Sequence, residues 1–276
     1  RSHERLGRAP DVLLLHATPG FEERILEGVA DAFEGKPPPL YGGSAADDDL
    51  SGKWQVFGEA ACESEGFAIA GFVSPQPIHG SFIAGYTPGT QRGKVTGAFD
   101  RRVRTIDGRP AAQVYNEWLG GALDDLMDRG GVVLSRTSLH PLGRLIDRVG
   151  GFPRYLLSHP HEILRDGSLS LFTDVQTGDE LVLMLGSADA LVDRTDQVAT
   201  RASRGATSLR GGVLVYCAGC VGTIGDRAAD VAIRFRDRIG AAPFVGIATF
   251  GEAGCFPGPT PQNRHGNLMC DAVLFE

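Results

Sequence analysis

The sequence lacks the long apolar runs and the leader that mark membrane and exported proteins. Apolar runs such as Val12 to Leu15 and Leu181 to Leu185 stop far short of the ~20 residues that a membrane-spanning helix needs. No positively charged stretch followed by an apolar stretch opens the chain, as it would in an export signal. We therefore expect a cytoplasmic protein without a membrane span.

Cysteine and lysine are also scarce. The five cysteines are an odd number and are thinly spread, unlike a disulfide framework, which fits a reducing compartment. The formal net charge is -7, and Lys and Arg do not cluster on one periodic face, so no nucleic-acid partner is expected. With 42% hydrophobic and 22% charged residues, the 276-residue chain is typical of a globular protein with one large domain or two modest ones.

Common catalytic motifs are missing as well. The sequence has no HExxH, and no GxSxG elbow, P-loop or GxGxxG in its required context. The one enzyme-like pattern is Cys217-Ala-Gly-Cys220, between a predicted strand and a predicted helix, where a thiol pKa can be lowered. No second CxxC completes a metal site, and burial at the strand end would raise the thiol pKa of Cys217. We predict that this pair is not a redox couple and that the protein is not an enzyme.

Among the seven histidines there is one close pair, His159-Pro-His161. Two ligands two residues apart can reach one metal from a strand, but the intervening proline favours a loop. We predict a solvated or capping role for this pair and no metal site.

Two strand-helix-strand units organise the chain. In the first, residues 12–16 form a short apolar run, a four-residue apolar stripe follows, and residues 40–46 read as a second strand. The stripe consists of Phe21, Ile25, Val29 and Phe33. In the second unit, residues 212–217 and 243–249 are the strands, and the helical stripe consists of Ala228, Ala232, Phe235 and Ile239. Each unit places an acid after its second strand, Asp47 or Glu252, so we predict an internal duplication whose two copies superpose.

Short β segments fill the stretch between these units. Turn residues bound predicted strands at 67–73, 81–86, 93–99, 103–106, 169–172 and 181–185. Two more helices are predicted: one opens at the Asp107 to Pro110 turn and runs through Trp118, and Ser187 caps another whose stripe is Leu191, Val198 and Ala202. The predicted fold is α/β (mixed α+β), with two related strand-helix-strand halves and additional antiparallel β segments.

The candidate binding site lies at the strand ends of the second unit. A predicted loop, Gly251-Glu252-Ala-Gly254, and the polar run Gln262 to Asn267 supply carboxylate, imidazole, amide and guanidinium groups where open sheets bind ligands. Glu252, with His265 and Asn267 near it, is predicted to line a pocket and to bind the amino group of a ligand. Backbone N–H groups at the start of the helix after Gly219 would receive the ligand's carboxylate. A surface loop whose polar groups are already satisfied remains the alternative.

From Val12 onward the sequence resembles the FIST family of bacterial sensory domains, which occur alone or fused to histidine kinases, chemoreceptors and cyclic-di-nucleotide enzymes. The resemblance is carried by Cys217-Ala-Gly219, Thr249-Phe-Gly-Glu252, His265-Gly-Asn267, Gly42-Gly43 with Asp47, His79-Gly80, and Asp107 to Ala111. Two departures stand out. Cys220 occupies a position where the family commonly has arginine, and Gly266 splits the family's His-Asn pair.

The resemblance implies two halves, 1–110 similar to FIST N and 111–276 similar to FIST C, with an earlier strand-helix-strand unit outside this sequence. It also implies a small-molecule ligand resembling an amino acid, and a kinase or cyclic-nucleotide enzyme as partner. The ligand-binding residues implied are Glu252, Gly251, His265, Asn267, Cys217, Gly219, Asp47, Gly43 and His79.

Two other functions stay open. Some members of the family bind haem and respond to nitric oxide, and one histidine with apolar walls can hold a haem. A thiol-dependent enzyme would have to use Cys217 with a loop histidine. The sequence does not identify the ligand, the partner or the number of copies in an assembly.

Overall fold

The helices follow the predicted apolar stripes only in part. Val29, Phe235 and Ile239 are buried as predicted. Phe21, however, precedes its helix and is 59% exposed, and Val231 is buried in place of the exposed Ala232.

A computed structural model describes residues 7–48, 51–58, 62–258 and 261–276, and all statements on structure concern these residues. The α-helices there are α1 (Glu22–Ala32), α2 (Ala111–Trp118), α3 (Leu134–Thr137), α4 (Ala188–Ala202), α5 (Ala218–Ile224) and α6 (Ala228–Ile239). None of these helices is long and apolar enough to cross a bilayer.

The β-strands of the described residues outnumber the helices. In chain order they are β1 (Val12–Ala17), β2 (Leu40–Ser44), β3 (Val56–Phe57), β4 (Cys62–Glu63), β5 (Phe67–Phe72), β6 (Ile78–Ile83), β7 (Thr87–Phe99), β8 (Arg102–Ile106), β9 (Arg109–Pro110), β10 (Gly131–Val132), β11 (Leu142–Val149), β12 (Phe152–Ser158), β13 (Pro160–Ile163), β14 (Leu169–Leu171), β15 (Glu180–Leu185), β16 (Gly211–Cys217), β17 (Phe244–Thr249), β18 (Glu252–Phe256), β19 (Gln262–Gly266) and β20 (Cys270–Phe275). The mixed α/β class predicted from the sequence is confirmed.

The chain divides into two units that do not follow sequence order. Unit 1 combines Arg1–Ile83, Leu191–His265 and Met269–Glu276, and unit 2 combines Ala84–Ala190 and Gly266–Leu268. Both predicted strand-helix-strand units therefore belong to unit 1.

Unit 1 contains two larger sheets with a common plan. In one, of order β19-β18-β2-β1-β5, β1 pairs with β2 in parallel and with β5 in antiparallel. In the other, of order β17-β16-β20-β6, β16 pairs with β17 in parallel and with β20 in antiparallel. In each strand-helix-strand repeat, the first strand thus lies between a parallel and an antiparallel neighbour, as the predicted duplication requires.

Unit 2 is built on one extended sheet. Its strand order is β10-β13-β14-β8-β7-β15-β11-β12, and β9 pairs with β8. Helix α2 packs its apolar side chains, among them Val114 and Tyr115, into a core with buried residues of these strands. The predicted end of this helix at Trp118 is confirmed, but Pro110, predicted at the first helical position, is the residue before it, so the helix begins at Ala111.

The predicted cap and stripe of α4 are both found. The Ser187 hydroxyl oxygen accepts a hydrogen bond from the Ala190 N–H at 3.1 Å, which satisfies one of the first N–H groups of the helix. Leu191, Val198 and Ala202 are all buried.

The prediction of a loop at Gly251 to Gly254 was wrong. Residues from Glu252 onward form β18, which pairs with β2 in antiparallel, and the following polar run forms β19. The glycines had indicated a turn, but a Cβ atom on Gly254 would lie 2.3 Å from the Phe82 ring. Gly254 therefore allows the Phe82 ring to pack closely against the backbone of β18.

Candidate functional site

The core of unit 1 contains ionisable side chains that are fully shielded from solvent. Arg194, Glu252 and Asp271 each have 0% of their surface exposed. We call these three residues the buried charge cluster. Charged groups are rarely buried this deeply unless they are paired or neutralised. The buried charge cluster is therefore a candidate functional site.

Glu252 begins β18 and is held from two sides. The Thr249 hydroxyl donates a hydrogen bond to Oε1 at 2.8 Å, and the Met269 N–H donates to Oε2 at 2.9 Å. Burial raises the pKa of Glu252 to about 8, against the effect of these two donors and of Arg194. At neutral pH the side chain is therefore mostly protonated.

Asp271 lies on β20, opposite Val215 of the neighbouring strand. Burial and the nearby Glu252 carboxyl raise the pKa of Asp271 well above its usual value, while the Gly42 N–H acts in the opposite direction. Two carboxyl groups thus share one low-dielectric region, where both cannot ionise readily.

Arg194 comes from the buried side of α4. Its guanidinium carbon lies 4.2 Å from the centre of the Tyr216 ring, at a cation–π distance. The Tyr216 hydroxyl donates to the Leu191 carbonyl at 2.7 Å, which fixes the ring against the same helix. This stacking gives the buried cation a defined position, from which it acts on the Glu252 carboxyl.

Buried thiols border the cluster. The Cys220 thiol and burial raise the pKa of Cys217 well above its usual value, and the Glu252 carboxyl adds to the effect. Burial likewise raises the pKa of Cys270. These cysteines are thiols at neutral pH, so the geometry gives Cys217 none of the activation that a nucleophile needs.

The structure brings several predicted site residues together. Gly43 pairs with Glu252 across β2 and β18, and the Ser44 N–H donates to the Gly251 carbonyl at 2.8 Å. A Cβ atom on Gly43 would lie 2.4 Å from that carbonyl oxygen, so glycine allows the close approach. Cys217 borders Glu252 as well. Gly219 lies inside α5, which begins one residue earlier at Ala218.

His265 sits beside a pair of glutamates in unit 1. Its Nδ1 is 3.0 Å from Glu23 Oε1, and its Nε2 is 3.8 Å from Glu22 Oε1. Glu22 in turn accepts hydrogen bonds from the Ser44 hydroxyl and the Gly20 N–H. Among the described residues, this trio has the donor spacing that a metal ion requires, with ligand atoms within 4.8 Å of one another.

The remaining predicted residues have other contacts. Asp47 accepts a hydrogen bond from the Lys53 N–H at 3.0 Å, and His79 Nε2 is 3.0 Å from Glu276 Oε1. Asn267 belongs to unit 2, where its side-chain oxygen accepts the His159 N–H at 3.2 Å.

The solvated or capping role predicted for the His159-Pro-His161 pair was wrong for His159. Its ring is buried, within hydrogen-bonding distance of the Thr137 hydroxyl and the Leu134 carbonyl, and burial lowers its pKa to about 4. Pro160 does not keep the segment in a loop, because it begins β13, where a first residue needs no ladder donor.

Two family matches cover almost the whole chain. The FIST N domain matches residues 2–109, and the FIST C domain matches residues 111–255. The chain belongs to the FIST family. FIST domains are generally sensory signal-transduction domains rather than known enzymes. A search of the curated proteins finds no match to this FIST chain. The boundary at residue 110 between two domains stays a prediction.

Sequence reasoning missed two of the three members of the buried charge cluster in this FIST chain. Arg194 stands on the apolar side of α4, between Leu191 and Val198, and Asp271 is the one acid in an apolar last strand. A charged residue at an apolar position of the pattern was the available signal.

The thiols offer a direct check on the prediction that Cys217 and Cys220 are not a redox couple. Cys62 is exposed, whereas Cys217 and Cys220 are buried. We expect a maleimide at neutral pH to label Cys62 rapidly and to leave Cys217 and Cys220 unlabelled until denaturant is added, as read by peptide mass spectrometry. Rapid labelling of both residues that a mild oxidant reverses would instead reveal a working couple.

Proposed function

We propose that this FIST chain is a small-molecule sensor whose ligand is amino-acid-like and binds at the buried charge cluster. It holds the ligand without changing it chemically and passes the event to a kinase or cyclic-nucleotide enzyme in the cytoplasm. The observation that carries the proposal is the burial of an arginine and two carboxyl groups in one core. Family membership supports the sensory role but not the choice of ligand.

Stability alone does not account for this cluster. Burying an ion removes its hydration, and well-packed apolar residues in place of a buried ion pair are often as stable or more stable. Ionisable groups with strongly shifted pKa values gather at functional sites, because binding and catalysis need pKa values matched to their task. Glu252 and Asp271 meet that description, since both acids are fully buried and have raised pKa values, and Arg194 is fully buried in the same unit.

The cluster's chemistry suits a zwitterion. An ammonium group near Glu252 would stabilise the ionised carboxylate and lower its pKa from about 8. The guanidinium of Arg194, held on Tyr216, is suited to a carboxylate at the other end of the ligand. Binding would therefore release a proton from Glu252 and leave a charge-balanced complex.

A closed cluster is also compatible with signalling. A sensor needs two states with different affinities for its ligand, and the ligand shifts the population between them. In the closed state all three ionisable side chains are shielded from solvent, so a ligand can reach them only in a second, open state. The open, ligand-filled form is the one that a signalling partner would recognise.

The test is a thermal-shift screen of the amino acids, followed by calorimetry on any that bind. Glu252→Gln should weaken binding by about 10- to 100-fold, because a charge-assisted hydrogen bond is worth ~1.5 to 3 kcal/mol. Glu27→Gln, an exposed residue on α1, is the matched control and should bind like the wild type. An amino acid that binds all three proteins equally would remove Glu252 from the site.

Haem binding is the second candidate, favoured by one observation in unit 2. A cleft of about 490 Å³ there is lined by Trp118, Leu119, Arg136, His140, Leu183 and Leu185. A histidine and an arginine beside a tryptophan and leucines, with Thr90 and Gln91 also in the lining, could hold a haem iron and a propionate. A visible spectrum of freshly purified protein should then show a Soret band that His140→Ala removes and His79→Ala retains. A colourless protein from haem-supplemented cells rules this candidate out.

A further inference from the structure

Three side chains of metal-binding type meet in unit 1 outside the buried charge cluster. Glu22 and Glu23 lie in the first turn of α1, and His265 lies on β19, 242 residues beyond Glu23 in the chain. The Glu22, Glu23 and His265 side chains are 3%, 18% and 1% exposed. Packing of two distant segments therefore builds this group and closes most of it to solvent.

The spacing of the donor atoms fits one small cation. One donor atom from each of the three residues lies within 4.8 Å of the other two, and the closest pair, His265 Nδ1 and Glu23 Oε1, is 3.0 Å apart. Tetrahedral ligands placed about 2.1 Å from a Zn²⁺ lie about 3.4 Å from one another. Small side-chain adjustments thus bring one ring nitrogen and an oxygen of each carboxylate onto the same ion.

The surroundings hold these ligands in position. Glu22 Oε1 accepts a hydrogen bond from the Ser44 hydroxyl at 2.6 Å, and its Oε2 accepts one from the Gly20 N–H at 2.9 Å. Carboxylates that bind metals are commonly oriented by such outer hydrogen bonds. The His265 ring packs on Gly251, where a Cβ atom would lie 2.3 Å from Nε2. Glycine at position 251 therefore leaves the space that the ring occupies.

The donor set selects the class of cation. With both carboxylates ionised and the ring neutral, the three side chains carry two negative charges, which a divalent cation balances. A protonated ring in a simple ion-pair network would balance only one of them. An imidazole nitrogen favours first-row transition metals such as Zn²⁺, whereas Mg²⁺ and Ca²⁺ prefer oxygen ligands alone.

We propose that Glu22, Glu23 and His265 form a binding site for a divalent first-row transition metal such as Zn²⁺. Three protein ligands leave a fourth position for water. The metal links the first turn of α1 to β19 and fixes the His265 ring against Gly251. This site is separate from the proposed amino-acid site and does not depend on it.

Isothermal titration calorimetry of the metal-free chain with Zn²⁺ tests the site. Cys62→Ser serves as the background, because an exposed thiol also binds Zn²⁺. One equivalent of Zn²⁺ should bind, and Mg²⁺ at the same concentration should not compete. Glu23→Gln, which keeps the shape of the side chain, should weaken binding by at least about 10-fold. Glu27→Gln, at an exposed position of the same helix, is the matched control and should bind like the background.

The same titration separates a metal site from an ion-pair network. Circular dichroism of the metal-free variants checks their fold, which Glu23→Gln should keep because Glu23 is the most exposed of the three ligands. His265→Ala, which removes a ligand outright, should also lose the Zn²⁺. A folded background chain that binds no Zn²⁺, or folded Glu23→Gln and His265→Ala variants that bind it undiminished, would overturn the proposal.

The absorption spectrum of the Co²⁺-loaded background chain tests the ligand type without any change to the three residues. Carboxylate and imidazole ligands give Co²⁺ weak visible bands, whereas a thiolate ligand adds a strong charge-transfer band in the near ultraviolet. We expect the weak bands alone. A strong thiolate band would place the metal on cysteines such as Cys217 and Cys220 and would contradict the assigned ligands.

Discussion

Gly42→Ala is expected to prevent folding. Gly42 has a φ of +130°, a region that residues with a side chain rarely adopt. A Cβ atom there would lie 2.0 Å from the Leu15 carbonyl oxygen, inside the pairing of β1 with β2. Backbone cannot move aside as a flexible side chain can, so we expect a destabilisation above about 4 kcal/mol. Far-ultraviolet circular dichroism and the yield of soluble protein measure the loss.

Gly28→Ala is the matched control for this substitution. Gly28 lies within α1, and a Cβ atom on it would have nothing within 4 Å. Alanine in a helix interior is favoured over glycine by roughly 0.5 to 1 kcal/mol, so this variant should be as stable as the wild type or more stable. A Gly42→Ala protein that unfolds at the wild-type temperature would show that β2 does not have the described backbone.

The second large effect concerns the pH dependence of stability in Glu252→Gln. The pKa of Glu252 is raised from 4.5 to about 8 in the folded protein. The folded state therefore holds a proton that the unfolded chain releases between these values, and wild-type stability falls as pH rises through that window. Glutamine resembles the protonated acid: its amide oxygen can accept the Met269 N–H while its NH2 group donates to Thr249. Glu252→Gln therefore removes the titrating carboxyl group and leaves the packing around residue 252 in place.

The free energy of unfolding should show this difference in urea titrations at pH 5 and pH 8.5. Between the two, we expect the wild type to lose roughly 3 to 5 kcal/mol more than Glu252→Gln, since each unit of pKa shift corresponds to ~1.4 kcal/mol. Below pH 4.5 the Glu252 contribution is fully present, because the acid is then protonated in both states. Glu27→Gln should follow the wild-type curve. Parallel curves for wild type and Glu252→Gln would mean that Glu252 is ionised in the folded protein.

Much of the secondary structure could be predicted, because apolar runs, helical stripes and capping residues are visible in the local sequence. The apolar runs and helical stripes of the two repeated units indicated β1, β2, α1, β16, α6 and β17, and Ser187 marked the start of α4. Local propensity and tertiary pairing agree in these elements, which is the condition under which a sequence reading succeeds.

The candidate site was less predictable because distant segments build it. Glu252 and its neighbouring glycines were identified, but Gly251 and Gly254 suggested a loop, whereas both serve close approaches to His265 and Phe82. Arg194 and Asp271 join Glu252 only through packing between α4, β20 and β18. No local spacing relates those three residues, so only the tertiary structure reveals the cluster.

The measurement closest to the central claim is the proton balance of amino-acid binding. Isothermal titration calorimetry at pH 7 in two buffers of different ionisation enthalpy counts the protons released when the ligand binds. If the ligand's ammonium group meets Glu252, the wild type should release up to about one proton per ligand at pH 7, because the acid's pKa is about 8 before binding. Glu252→Gln should release none. Tight binding with the same proton count in both proteins would contradict a ligand site at the buried charge cluster.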